Sequence, residues 1–146
     1  MKTLTKWTGN MNLEGSVGDH KVSMDAKAPL GQNQGMTPKE LVAIGLSGCT
    51  AMDVVALMKK HKQDLKSLEV TAEVTPTSGQ HPIKFQEVLL VFDAKGSIDG
   101  EKLKEAVHLS QTKFCGVSAM LSASLPIRYK IILNGEPIGE GEASFS

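Results

Sequence analysis

Two side chains in this 146-residue sequence are suited to nucleophilic or redox chemistry, those of Cys49 and Cys115. The thiolate, not the thiol, is the reactive form, so each cysteine needs surroundings that favour negative charge. Cys115 follows Lys113 by two residues and sits by a helix start predicted at Phe114, both sources of positive potential. Cys49 falls about three turns inside a predicted helix, beyond the reach of the terminal dipole, with a like charge, Asp53, four residues on. Taken singly, either cysteine also fits a small buried apolar residue with no chemistry. Other reagents lack a pattern. His20, His61, His81 and His108 form no short-spaced pair with one another or with a cysteine, so no metal-binding spacing exists. Gly31, Gly35, Gly45 and Gly48 fit neither a dinucleotide fingerprint nor a phosphate loop, and Ser47 and Ser118 lack a nucleophile-elbow context.

The elements that must position the two thiols can be read from the pattern. Thr37 and Pro38 form a helix start, with an N-cap oxygen followed by a residue that has no N–H to lose, and Lys59 and Lys60 close that helix. Between Leu41 and Met58 the sole charge is Asp53, so the sequence predicts a helix buried nearly all round. Its length and small polar residues argue against a membrane span and for the central helix of a soluble domain. Before it, Lys2 to Thr8, Asn12 to Ser16 and Lys21 to Asp25 read as a meander of short strands with glycine turns. Residues 28–37 form a loop long enough to be mobile. After the helix, residues 67–76 alternate with period two, and residues 83–92 alternate and then become apolar on both faces, which predicts a ribbon whose second strand is central. Asp99 caps a helix over 100–112 with Leu103, Ala106, Val107 and Ser110 inward. A further helix over 113–124 carries Cys115, with Val117, Met120 and Leu121 inward, and a hairpin turning at Asn134-Gly135 ends the chain. The order βββ, α, ββ, αα, ββ is an α+β pattern in one domain, 1–146.

Charge removes one class of function. Sixteen basic residues balance sixteen acidic ones, so there is no electrostatic footprint for nucleic acid. Arg128 is the only arginine among the basic residues. The first ten residues lack an apolar stretch of signal-peptide length, and the expected location is cytoplasmic, with no membrane partner. There, two cysteines 66 positions apart point to free thiols or a working redox pair rather than a structural disulfide.

Three features together resemble the OsmC/Ohr family, named for osmotically inducible protein C and organic hydroperoxide resistance protein. They are Thr37-Pro38-Lys39-Glu40-Leu41-Val42 leading through Gly45 and Gly48 to Cys49, then Lys113-Phe114-Cys115-Gly116-Val117-Ser118, then the closing hairpin. The resemblance implies an α+β fold of antiparallel sheets around a long buried helix, two chains intertwined as a homodimer, and sites at the subunit interface. It also implies a thiol-dependent peroxidase. Cys49 would be oxidised by a hydroperoxide to a sulfenic acid and resolved by Cys115 as a disulfide, with an external dithiol as reductant and no cofactor. Methionines and Ile44 around Cys49, namely Met36, Met52 and Met120, would make that pocket apolar and favour organic hydroperoxides. In the family's characterised peroxidases an arginine of the N-terminal strands pairs with a glutamate directly after the proline. This chain has no arginine there, and Lys39 occupies that place with Glu40 one residue on, a rotation of about 100° on a helix. Glu40 remains the matching carboxylate, with Lys39, His20 and Lys21 as alternative cations. The pattern resembles the divergent YhfA-like branch. The alternative function is a non-catalytic dimeric binding protein for a small apolar or thiol-bearing ligand.

Overall fold

A computed structural model describes residues 1–146, which gather into two units, Met1–Ala43 and Ile44–Ser146. In the first, β1 (Leu4–Gly9), β2 (Asn12–Val17) and β3 (His20–Met24) form an antiparallel sheet in chain order. The strands begin and end within two residues of their predicted places, because the left-handed backbone at Gly9, Asn10 and Gly18 fixes both turns.

The loop after β3 is wound around one carboxylate that sequence reading passes over. Asp25 is only 3% exposed and accepts hydrogen bonds from the backbone N–H groups of Ala26 (2.7 Å), Gln32 (3.2 Å) and Gln34 (3.0 Å). A Cβ on Gly31 would meet the Ala26 carbonyl and the Asp25 carboxylate, so glycine is what lets the loop close. The Gln34 N–H, then those of Ala26 and Gln32, hold the Asp25 carboxyl below its ordinary range against the opposing effect of burial. Length alone predicts a mobile loop; these bonds tie it down.

Helix α1 (Pro38–Lys60) starts where predicted. Thr37 Oγ1 accepts from the Glu40 N–H (3.2 Å), and Glu40 Oε1 accepts from the Thr37 N–H (2.8 Å). Each residue satisfies the other's unmatched donor, a reciprocal capping box with proline at the first helical position.

In the second unit, β4 (Asp64–Pro76), β5 (Phe85–Ser97), β6 (Ile127–Leu133) and β7 (Glu136–Glu142) form a sheet in chain order. The α+β class with two sheets holds, and β5 is internal as predicted. One pairing departs from the antiparallel expectation: β5 and β6 run parallel, from Val88 opposite Ile127 to Ala94 opposite Leu133. Parallel neighbours need a crossover, and α2 (Gly100–Leu109), a turn of π-helix (Ser110–Phe114) and α3 (Gly116–Ser122) supply it. Asp99 caps α2 by accepting from the Glu101 N–H at 2.9 Å. The closing hairpin turns at Asn134 and Gly135, both left-handed, as an Asn-Gly pair permits.

The core lies on the inner face of β5, where Val88, Leu90, Phe92 and Ala94 are at most 1% exposed. Leu46, Val54 and Met58 of α1 and Leu103 and Val107 of α2 belong to the same apolar cluster. Phe92 meets Tyr129 edge to face, ring centroids 6.4 Å apart, a favourable geometry for aromatic pairs.

Two expectations about α1 need correction. The helix has 23 residues and is long and apolar enough to cross a bilayer by length and composition, so it is not too short for a span. Nor is it buried all round within this chain. Leu46, Thr50, Val54 and Met58 form one buried stripe at i, i+4 spacing, while Ile44 is 50% and Met52 76% exposed. A lone sheet and its crossover can cover one side of a helix, not every side.

Candidate functional site

Cys49 lies on α1 one residue before Thr50, which places its side chain at the flank of the buried stripe, and it is half-buried. Cys115 is fully buried. Both are free thiols, and Cys49 is near enough to act on the Cys115 thiol. The fold thus brings together two residues 66 positions apart in sequence.

Cys115 does not stand where its sequence suggests. A helix over 113–124 would place it inside the first turn, but α2 continues into the π-turn, which ends at Phe114, and α3 begins only at Gly116. Cys115 is extended between them (φ −73°, ψ 103°) and acts as the N-cap of α3, its sulfur accepting from the Ser118 N–H at 3.3 Å. The sequence signal was present: a short polar side chain three residues before the N–H it caps is an N-cap spacing, though cysteine is an unusual occupant. Lys113 offers less than expected, since its Nζ sits over the Phe114 ring, 5.4 Å from the centroid. Burial is the largest influence on the Cys115 thiol and pushes it up. The Ser118 hydroxyl and N–H act the other way, and Cys49 adds a smaller upward push. Without other help, Cys115 is the thiol that keeps its proton.

A buried polar network that sequence reading missed surrounds the pair. Gln111, fully buried, donates from Nε2 to Thr50 Oγ1 (2.8 Å) and accepts at Oε1 from Ser118 Oγ (3.0 Å). Thr50 Oγ1 and Ser110 Oγ are 2.7 Å apart, and Ser110 Oγ donates to Asp53 Oδ2 at 2.8 Å. Asp53 therefore spends its charge on Ser110. No buried side-chain oxygen or nitrogen is left without a partner, as a low-dielectric interior requires.

The apolar pocket predicted around Cys49 does not form within the chain. Ile44, Met52 and Met120 are 50%, 76% and 69% exposed, and Met36, in the other unit, is 38% exposed. Met120 points outward, whereas Val117 and Leu121 pack on the core as predicted and Ser118 takes the buried place beside the sulfur. A helix that begins three residues later than predicted has its faces rotated, which is the cause.

Glu40, the third residue singled out by sequence, is the capping-box carboxylate in the first unit. Lys27 Nζ lies 3.4 Å from its Oε1 and 3.1 Å from Asn33 Oδ1. The Thr37 N–H, then the Thr37 hydroxyl and Lys27, hold the Glu40 carboxyl below its ordinary range. Lys27 was not among the expected cations. His20 and Lys21 instead line an open apolar cleft of about 670 Å³ between the first sheet and the start of α1, with Leu4, Val22, Leu41 and Val42. Arg128 pairs with a surface carboxylate, Glu87 Oε2 at 2.8 Å. No three His, Cys, Asp or Glu side chains converge as a metal site would need.

Comparison with known proteins agrees with this architecture. Protein YhfA of Escherichia coli is 28% identical over 131 residues, which cover 88% of this chain and 95% of that relative. A hypothetical protein from Aquifex aeolicus shares the fold at a TM-score of 0.81 and 21% identity, over 91% of this chain and 95% of that one. A protein from Legionella pneumophila described as an organic hydroperoxide resistance protein OsmC and predicted redox protein does so at 0.66 and 19%, over 91% and 96%. Residues 31–130, from the loop wound on Asp25 through both cysteines to β6, match the family described as OsmC-like protein, and this chain belongs to that family.

Proposed function

We propose that the protein is a thiol-dependent peroxidase that reduces small hydroperoxides, organic ones above all. The observation that carries this reading is the pairing of a half-exposed thiol, Cys49, with a fully buried one, Cys115, on which it acts. The exposed sulfur is the one a peroxide can approach. Its thiolate attacks the distal peroxide oxygen, the O–O bond breaks, the alcohol leaves with a proton, and Cys49 becomes a sulfenic acid. Cys115 then displaces the oxygen as water to form a disulfide, and an external dithiol restores both thiols. No cofactor is required, and a reducing cytoplasm supplies such dithiols. Glu40 is the third catalytic residue of the proposal. Its partner Lys27 takes the pairing that the family resemblance gives to an arginine.

A second copy of this chain is the proposed partner. The face of α1 opposite its buried stripe carries Gly45, Gly48, Met52 and Ala56. A Cβ built on either glycine meets nothing within 4 Å, so a second helix could approach this face closely. The same face supports dimer formation over an isolated chain, because exposed apolar side chains such as Met52 gain from cover.

Steady-state turnover of cumene hydroperoxide with a dithiol, in the wild type, Cys49→Ser and Cys115→Ser, tests the reading. We expect Cys49→Ser to abolish turnover and Cys115→Ser to stall after one oxidation; turnover that survives Cys49→Ser ends the mechanism. A Glu40→Gln arm with unchanged kcat/KM removes that residue from the site. The apolar cleft of the first unit supports the second reading, a binding protein, and that reading gains if no variant or wild type consumes peroxide.

A further inference from the structure

The buried network beside the thiols runs in one direction. Asp53 can only accept, so the Ser110 hydroxyl proton is committed to it and the Thr50 hydroxyl must donate to Ser110. Gln111 then donates to Thr50, which leaves its Oε1 to accept from Ser118. At the far end of this chain of bonds stands Ser118, fully buried, with its N–H on the Cys115 sulfur at 3.3 Å. Its hydroxyl, like its N–H, favours the Cys115 thiolate. The hydroxyl proton thus rests on the Gln111 oxygen, on the same residue whose N–H meets the Cys115 sulfur. The π-turn is what makes this possible, because it carries Ser110 and Gln111 and ends beside Cys115.

No cation is among the groups that act on the Cys115 thiol. Of the titratable groups, Cys49 of α1 acts on it, and a thiolate there opposes a second one; Asp53 is occupied by Ser110 and Lys113 by the Phe114 ring. The donors left to a buried thiolate are the N–H and hydroxyl of Ser118. We propose that Ser118 is a catalytic residue of the resolving step, its hydroxyl turning from Gln111 to the Cys115 sulfur as that sulfur loses its proton. In the step itself the Cys115 thiolate attacks the Cys49 sulfenic sulfur. The S–S bond forms and the S–O bond breaks, the Cys115 sulfur is oxidised and the sulfenic sulfur reduced, and hydroxide leaves and is protonated to water. The direction in which Ser118 acts on the thiol, downward against burial, agrees with this role.

The inference rests on the proposed peroxidase reading, and two measurements keep the two apart. In the Cys49→Ser protein Cys115 is the only thiol, and its thiolate absorbance can be followed against pH without any peroxide. Ser118→Ala is expected to raise the titration midpoint by about one pH unit, which leaves about tenfold less thiolate near neutrality, and Ser118→Thr is expected to keep it. An unchanged midpoint in Ser118→Ala overturns the proposal. So does an equal rise in Ser118→Thr, since the disturbance would then be steric. In protein with both cysteines, one equivalent of cumene hydroperoxide should form the Cys49 sulfenic acid at the wild-type rate in Ser118→Ala. Disulfide formation should then be about tenfold slower at neutral pH and recover as pH rises. If the peroxide oxidises neither protein, the peroxidase reading fails and the titration alone decides for or against Ser118.

Discussion

Two regions of this protein hold ionisable groups in hydrogen bonds, and they differ in how far the chain must travel to build them. Asp25 and Glu40 in the first unit are held by neighbours in sequence: Asp25 by N–H groups one, seven and nine residues away, Glu40 by Thr37 three residues away. The thiol site of the second unit is assembled from residues about sixty apart, with Thr50 bonded to Ser110 and Gln111 across the space between α1 and the π-turn. Local bonds surround the carboxylates with donors and keep them charged. Long-range packing surrounds Cys115 with buried groups and keeps it neutral, apart from what Ser118 donates. The difference follows from the donors at hand: three backbone N–H groups offset the loss of hydration at Asp25, whereas at Cys115 burial outweighs what Ser118 alone donates.

Substitutions can sharpen or break this contrast. The largest effect belongs to the long-range side. Gln111→Leu leaves Thr50 without its donor and Ser118 without its acceptor in a dry site, and a loss of about 3 kcal/mol is expected in urea unfolding. A loss below about 1 kcal/mol would mean that the network relaxes or admits water.

Next comes Asp25→Asn, which removes the charge at the centre of its loop. It should lower Tm by several degrees at neutral pH. The folded state holds the Asp25 carboxyl below its unfolded value, so its contribution is fully present above about pH 4 and disappears as pH falls through the lower folded value. Thermal melts of wild type and variant should therefore converge toward acid pH; a constant gap would show that the carboxylate's charge is not what organises the loop.

Thr37→Ala is expected to cost least, about 1 kcal/mol in the same unfolding experiment, because it removes the cap oxygen and leaves the Glu40 half of the box in place. An effect as large as that of Gln111→Leu would erase the distinction between local and long-range support.

The same distinction separates what the local sequence specifies from what it leaves open. Thr37, Pro38 and Glu40 announce a helix start because each acts on groups within one turn, and Asn134-Gly135 announces a hairpin because the turn needs two left-handed residues in a row. Val88, Leu90 and Phe92 mark an internal strand by being apolar on a strand that is also apolar on its other face. The errors lie where a neighbour distant in sequence decides. Periodicity ran α2 to Thr112 and put Cys115 inside a second helix, whereas the chain leaves α-helical geometry at Ser110, where that residue and Gln111 bond to α1. The Asp25 loop is a middle case. Its bonds are short-range, yet an aspartate among glycine and asparagine does not say which amides it will gather.

By itself the sequence determined the α+β order of elements, the ends of most of them, the helix that carries Cys49 and the two cysteine motifs that mark the family. All of these rest on interactions within a turn or a hairpin, or on residue types that one element displays alone. Only the tertiary structure decided that β6 lies parallel to β5, that one stripe rather than the whole of α1 is buried, and that the Cys115 sulfur meets the Ser118 N–H with Cys49 near enough to act on it. Those outcomes depend on which surfaces compete for the same core, and no single element carries that information.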